Sequence, residues 1–245
     1  MSGVMMITGG GRGIGAATAR LAAARGYAVC INYRKDRAAA EQLARDLGGR
    51  AIAVSADVAD EADVMRLFET VDRELGALTA LVNNAGIVDL ATRVEAITAA
   101  RLERMFAVNV FGSFLCAREA VKRMARSRGG RGGTIVNVSS IAAKLGGPGE
   151  YVDYAAAKGA VDTFTIGLAK EVGPDGIRVN AVRPGIIRTE IHRSSGDPGR
   201  LERIGATAPL GRPGDAEEVA RVIVWLASEE SSYMSGALVD VSGGR

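Results

Sequence analysis

The apolar positions of this chain follow two alternating rhythms. Short runs rich in Val, Ile, Leu and Ala occur at Val4–Thr8, Ala28–Asn32, Ala51–Ala56, Ala80–Asn83, Thr134–Val138, Arg178–Arg183 and Leu238–Val241. Near-continuous apolar runs of this length, ending in Gly, Asn, Asp or Ser, predict strands buried on both faces. Between most of them lie longer stretches with apolar residues at three- and four-residue intervals, the period of a helix. They predict helices over Gly13–Gly26, Asp36–Leu47, Asp60–Leu75, Thr98–Arg126, Val152–Val172 and Asp215–Ala227. The first is rich in small residues, which permits close packing on a sheet. Thr98–Arg126 is long enough to bend. On Val152–Val172, the residues Ala157, Val161, Phe164 and Leu168 share one apolar face.

Strand–helix–strand order requires crossovers, so the sheet should be parallel and covered on both sides. No linker, low-complexity tract or repeat divides residues 1–245, and seven strands fit one domain. An eight-stranded α/β barrel is the rival, but it would not require a glycine turn after its first strand. Two stretches break the rhythm. Residues 142–151 contain Gly146, Gly147, Pro148 and Gly149, and residues 186–210 contain His192, Pro198 and Pro209. Both leave the carboxyl ends of strands, where open α/β sheets bind ligands. Both are therefore expected to cover a substrate.

Composition narrows the function classes. The chain is 47% hydrophobic but only 4% aromatic, so its core must be aliphatic. Its 31 basic and 28 acidic residues nearly balance, which argues against a nucleic-acid binder. The densest basic run, Lys122–Arg131, reads as a solvated helix end, with docking of an acidic partner as the alternative. Cys30 and Cys116 belong to no CxxC pair and read as buried hydrophobes. With His192 the only histidine, no metal site is expected. No run approaches the ~18 apolar residues of a membrane span. No signal segment is evident at the start, so a cytoplasmic location is expected.

The candidate chemistry begins at the first turn. Thr8–Gly15 reads TGGGRGIG between a strand and a helix. Such glycines let another surface approach the backbone, and the helix N-terminus offers N–H groups to a phosphate. An ATP-type loop is excluded, because Gly15 is followed by Ala16 and Ala17 instead of a Lys-Ser/Thr pair. Gly9, Gly11, Arg12, Gly13, Ile14 and Gly15 are thus candidate dinucleotide contacts. The second strand ends in Asn32, Tyr33, Arg34 and Lys35, without the acid that binds the ribose of NAD. Arg34 and Arg12 would instead welcome a 2′-phosphate, which favours NADP(H). Asp36 is the residue that a loop shift would bring in against it. Asp57 and Val58 are placed to meet an adenine, although Asp57 also fits a helix cap, a role better suited to Asp60. Asn83, Asn84, Ala85 and Gly86 suit a tight crossing beneath the cofactor.

Tyr154 and Lys158 are four residues apart on a predicted helix and share a face. Ser139 and Ser140 end the fifth strand, near the same cleft. Carbonyl reduction needs a proton donor, and a free tyrosine titrates too high to serve well. A nearby ammonium and a positive cofactor ring should lower that value. A serine hydroxyl would orient the carbonyl oxygen.

Taken together, these segments resemble the short-chain dehydrogenase/reductase family over essentially the whole length. The residues that carry the resemblance are the Thr8–Gly15 turn, Asn83–Gly86, and the Tyr154 and Lys158 pair. The resemblance implies a doubly wound Rossmann fold, a seven-stranded parallel sheet with helices on both faces. It implies Ser140 as the catalytic serine. The spacing from Ser140 to Tyr154 is one residue longer than usual, which keeps Ser139 as an alternative. It further implies Asn109 as holder of a proton-relay water, and Pro184, Gly185, Ile187 and Thr189 as nicotinamide neighbours after Asn180. The C-terminal segment from Ser235-Gly236 through Gly243-Gly244 matches the family's last strand. Arg183 and Ser242 depart from its commoner residues. Relatives imply a homotetramer built through Thr98–Arg126, Val152–Val172 and the last strand. They imply reduction of a ketone or 3-oxoacyl thioester, with Arg123, Arg126, Arg128 and Arg131 as a possible dock for an acidic carrier protein. The alternative is a sugar dehydrogenase using Glu150, Asp153 and His192. A dinucleotide-binding regulator without turnover is a third reading. A Ser-His-Asp hydrolase lacks its GxSxG elbow.

Overall fold

The computed structural model describes residues 3–190 and 199–245. Seven parallel strands form one sheet in the order β3-β2-β1-β4-β5-β6-β9. They are β1 (Val4–Ile7), β2 (Ala28–Tyr33), β3 (Ala51–Ser55), β4 (Leu78–Asn83), β5 (Gly133–Val138), β6 (Ile177–Pro184) and β9 (Leu238–Val241). All seven expected strands are present, with ends shifted by at most two residues. A second ladder of two residues per strand, β7 (Ile187–Arg188) with β8 (Gly214–Asp215), was not foreseen. It is too short to show a period.

Side chains alternate between two aliphatic layers, as a pleated strand demands. In β1, Met5 and Ile7 face the layer under α1 (Gly13–Ala24), α2 (Arg37–Leu47) and α9 (Ala216–Leu226). Val4 and Met6 face the layer under α3 (Glu61–Glu74), α5 (Gly112–Met124) and α7 (Val152–Val172). Asp36 and Asp60 cap α2 and α3 through Ala39 N and Asp63 N. Cys30 and Cys116 are free and buried, and burial pushes both thiols up to about 12.

The stretch expected as one bent helix is three segments: α4 (Ala99–Phe106), a π-turn at Ala107–Phe111, and α5. One residue is in excess of the α repeat there, and Asn109 lies in the middle of it. Such π-bulges gather at functional positions. Two shorter α-helices among the described residues are α6 (Ala142–Leu145) and α8 (Arg200–Gly205). Among the described residues, no helix is long and apolar enough to cross a membrane.

The chain leaves β1 toward β2 on one side, while β4 pairs on the other. At that reversal the two outgoing loops diverge and leave a crevice at the carboxyl ends of the strands.

Candidate active site

The crevice holds a cleft of about 650 Å³. Of the cofactor and catalytic positions expected from sequence, all but Gly15 and Asn109 line it. At its centre the turn after β1 has Gly9 and Gly13 at φ +59° and +53°. A side chain on Gly15 would meet the Gly9 carbonyl oxygen at 2.6 Å. That glycine serves helix–turn packing, not the cleft wall. Asn32 is buried and accepts from Gly9 N (3.2 Å) while donating to Ala56 O (3.0 Å). Its side chain therefore builds the turn. Thr8 Oγ1 accepts from Asn84 N and Ala85 N, both at 2.9 Å, and Asn84 Nδ2 donates to Thr8 O and Gly9 O. The two loops at the reversal are thus stitched into one floor. Among the described residues, no side chain caps the N-terminus of α1. Its first-turn N–H groups stay available to an anion.

At one end, Arg34 Nε lies 2.7 Å from Asp57 Oδ2. The phosphate-binding and adenine-binding candidates thus hold each other. This exposed pair is worth at most about 1 kcal/mol, so a phosphate dianion can take Arg34 from the carboxylate. Asp36 is committed to its helix cap.

At the other end, the Ser140 hydroxyl lies near enough to the Tyr154 phenol to act against its upward shift, and Ser140 Oγ accepts from Ala142 N at 3.1 Å. Ser139 Oγ instead donates to Lys158 O at 3.2 Å and is buried. Of the two serines, only Ser140 meets the phenol. Lys158 is 4% exposed, and its Nζ donates to Val138 O at 2.8 Å. That Nζ stands 5.7 Å from the centre of the Tyr154 ring. Asn109 Oδ1 accepts from Ile87 N, and its Nδ2 donates to Ile87 O and Met105 O. A side chain on Gly86 would come within 2.8 Å of Asn109 Oδ1 and 3.5 Å of Lys158 Nζ. Gly86 is therefore required for space.

The expected acidic phenol needs correction. Burial pushes Tyr154 up to about 12, opposed by the Ser140 hydroxyl. Burial also brings Lys158 down to about 8, opposed by the Asp162 carboxylate. Desolvation outweighs the Ser140 contact at the phenol, and the Lys158 ammonium is itself short of water. Without cofactor, burial thus raises the Tyr154 phenol instead of lowering it.

Thr189 packs over the turn, with its Cγ2 3.1 Å from where a Gly13 side chain would start. Pro184, Gly185 and Ile187 line the same wall. From the two irregular stretches, Leu145, Pro148, Glu150, Ile186 and Ile204 reach the cleft. Asp153 does not. Its side chain is fully buried, 2.7 Å from Arg101 Nε, so it is no sugar contact. His192 lies outside the described residues. The basic run is also altered. Arg123 is bound to Asp72 and Glu119, and Lys122 to Glu119. The run precedes β5, toward the amino ends of the strands and away from the cleft at their carboxyl ends.

Two buried polar residues, Asn137 and Thr165, were not read from sequence, and they join Asn83 in a chain of hydrogen bonds. Asn83 Nδ2 donates to Asn137 Oδ1, and Asn137 Nδ2 to Thr165 Oγ1, each at 2.9 Å. A buried amide needs such partners. An Asn within an apolar strand was the available signal.

Comparison with known proteins agrees with this geometry. A family model described as enoyl-(acyl carrier protein) reductase matches residues 9–245. The chain is 53% identical to the uncharacterized oxidoreductase YgfF of Escherichia coli over 99% of both chains. It is 41% identical to a 3-oxoacyl-[acyl-carrier-protein] reductase of Bos taurus, over 100% of this chain and 98% of that one. Among solved structures, a double mutant of a Serratia marcescens short-chain dehydrogenase/reductase superposes with TM-score 0.90 at 33% identity, covering 99% and 97%. A blue fluorescent protein from a metagenomic library, in complex with NADPH, gives TM-score 0.90 at 34% identity, covering 99% and 98%.

Proposed function

The chain belongs to the short-chain dehydrogenase/reductase family of nicotinamide-dependent oxidoreductases, and on that premise we propose that it reduces a ketone or 3-oxoacyl thioester with NADPH. The observation that carries this reading is the convergence of Ser140, Tyr154 and Lys158 on the cleft that the glycine turn floors. The residues fit a dinucleotide: positive-φ glycines, an uncapped helix N-terminus and a basic end without a free acid.

Gly9, Gly11, Gly13 and Ile14 would hold the pyrophosphate against α1. Arg12 and Arg34 would hold a 2′-phosphate, with Tyr33 beside them, and Asp57 and Val58 would border the adenine. Asn84, Ala85 and Gly86 would pass beneath the dinucleotide. Pro184, Gly185, Ile187 and Thr189 would border the nicotinamide. Bound NADPH supplies a hydride to the carbonyl carbon. Ser140 donates to the carbonyl oxygen and fixes its direction. Tyr154, kept protonated by its burial, gives that oxygen its proton as charge develops. Lys158 would hold the nicotinamide ribose and present its positive charge to the phenolate left behind. Asn109 anchors the loop around Gly86 and supports proton return to Tyr154. In the reverse direction Lys158 would favour the phenolate that takes up the alcohol's proton.

Apolar neighbours of the cleft such as Leu145, Pro148, Ile186 and Ile204 favour an acyl or simple ketone substrate over a sugar. A panel run with NADPH consumption as readout is expected to favour an acetoacetyl thioester or a small ketone. Faster oxidation of glucose with NADP+ would select the sugar dehydrogenase reading. NADPH should have a KM well below that of NADH. Arg34→Ala is expected to raise the KM for NADPH roughly 10- to 100-fold, the value of a charge-assisted hydrogen bond, and to leave that for NADH near its original value. Equal effects on both would place the 2′-phosphate elsewhere.

Phe111, Phe114 and Ile166 are exposed apolar side chains on α4–α5 and α7, with Phe114 stacked on Phe164 at 3.7 Å. A surface of this kind asks for cover. We assign it to assembly as a homotetramer, and light scattering should return about four times the 25.4 kDa of one chain. A mass of one chain would contradict this. The buried free thiols suit a cytoplasmic enzyme.

A further inference from the structure

Arg183 sits in the middle of an apolar run, three residues after Asn180 and just before Pro184. Its guanidinium is mostly enclosed and reaches across to α7. Nε and Nη2 both lie 2.9 Å from Asp162 Oδ2. Nη1 lies 3.5 Å from Asp240 Oδ1, and Asp240 Oδ2 in turn accepts from Lys144 Nζ at 2.7 Å. Asp162 is buried, and its Oδ1 has no hydrogen-bond partner among the described residues.

An enclosed ion pair of this kind can often be replaced by apolar side chains without loss of stability. Its presence here therefore asks for another reason. Asp162 lies one helical turn beyond Lys158, on the same face of α7. Lys158 itself is buried, with Val138 O as its hydrogen-bond acceptor. The titratable and charged groups on this side are Tyr154 and Asp162 on α7 and Arg183 on β6. Farther along come Asp240 on β9 and Lys144 on α6. Asp162 is the carboxylate whose field reaches Lys158.

We propose that Asp162, held by Arg183, is a positioning residue for the reaction: its carboxylate keeps the Lys158 ammonium charged, while Arg183 keeps that carboxylate from drawing Lys158 away from Val138 and the cleft. This rests on the role given to Lys158 above. Burial works against the ammonium, and the Asp162 carboxylate opposes that effect. One carboxylate at helical distance does so without contacting substrate or cofactor. The further link through Asp240 to Lys144 ties the same network to α6, which lies in the substrate-covering stretch 142–151.

The test measures the charge on Lys158 directly. Cofactor-free protein is labelled briefly with acetic anhydride across a pH series, and acetylation at Lys158 is counted by peptide mass spectrometry. The native midpoint is expected near 8. Asp162→Asn should move it roughly one pH unit lower, and Asp162→Glu should restore most of it. The alkaline limb of kcat/KM for carbonyl reduction should move by the same amount. Should Asp162→Asn fold poorly, the double variant Asp162→Leu/Arg183→Leu removes carboxylate and guanidinium together while keeping an apolar fit, and it should show a smaller downward shift than Asp162→Asn, with near-native melting. Unchanged midpoints and limbs, with only melting affected, would make the pair structural and overturn the inference. If instead the native protein reduced no carbonyl while its labelling midpoint still followed Asp162, the assigned reaction would fail and the electrostatic coupling would stand.

Discussion

Replacing Tyr154 by Phe is expected to lower kcat for carbonyl reduction by about 10²- to 10⁴-fold, the usual contribution of a positioned proton donor. The phenyl ring keeps the packing of α7 and loses only the oxygen that meets Ser140. Steady-state rates should therefore collapse while NADPH binding, followed by fluorescence titration, stays within a few-fold of native. The split matters, because a residue that only shaped the cleft would raise KM instead. Near-native kcat in this variant would remove Tyr154 from the chemistry.

The second large effect concerns the helix that carries it. Arg101 on α4 clamps Asp153, whose side chain is fully buried at the first turn of α7. Arg101→Ala leaves that carboxylate without its charged partner, at a cost of about 3–5 kcal/mol. For a chain of this size the melting temperature should fall by roughly 6–20 °C. The pH dependence gives a sharper signature. Burial works to raise the Asp153 carboxyl, but its hydrogen bonds, chiefly with Arg101, outweigh it and hold the group below its ordinary value. A lowered native pKa stabilises the fold above the ordinary carboxylate range, and that contribution is lost as pH falls through the native value. Without Arg101, burial dominates and the native pKa rises, so stability is gained on acidification. Melting curves should therefore show the variant less destabilised near pH 4 than at pH 7. A uniform deficit at all pH values would mean that Asp153 is not the group left exposed to the penalty.

Much of the fold could be read from the chain, for a physical reason. Strands covered on both faces must be apolar throughout, so β1, β2, β4 and β5 stand out against amphipathic helices. The glycine turn was legible because its position between strand and helix has few other uses. The pairing of Tyr154 with Lys158 followed from helical spacing. Other features depend on what the tertiary structure brings close. The π-turn around Asn109 is one residue of hydrogen-bond register inside an otherwise helical pattern, and local composition does not announce it. Asp153 and Arg101 are 52 residues apart, so nothing local marked Asp153 as structural. A sequence shows the charged neighbour of the phenol but not the water removed around both groups, which raises the phenol of the cofactor-free chain. The link between Arg34 and Asp57 joins two loops whose separate ligand roles were plain but whose contact was not.

The most direct measurement is a crystal structure of the protein grown with NADP+. Its pyrophosphate is expected at the start of α1 over Gly13 and Ile14, with the nicotinamide between Thr189 and the Tyr154 and Lys158 pair. A dinucleotide bound away from that turn, or a nicotinamide facing neither side chain, would contradict the assignment.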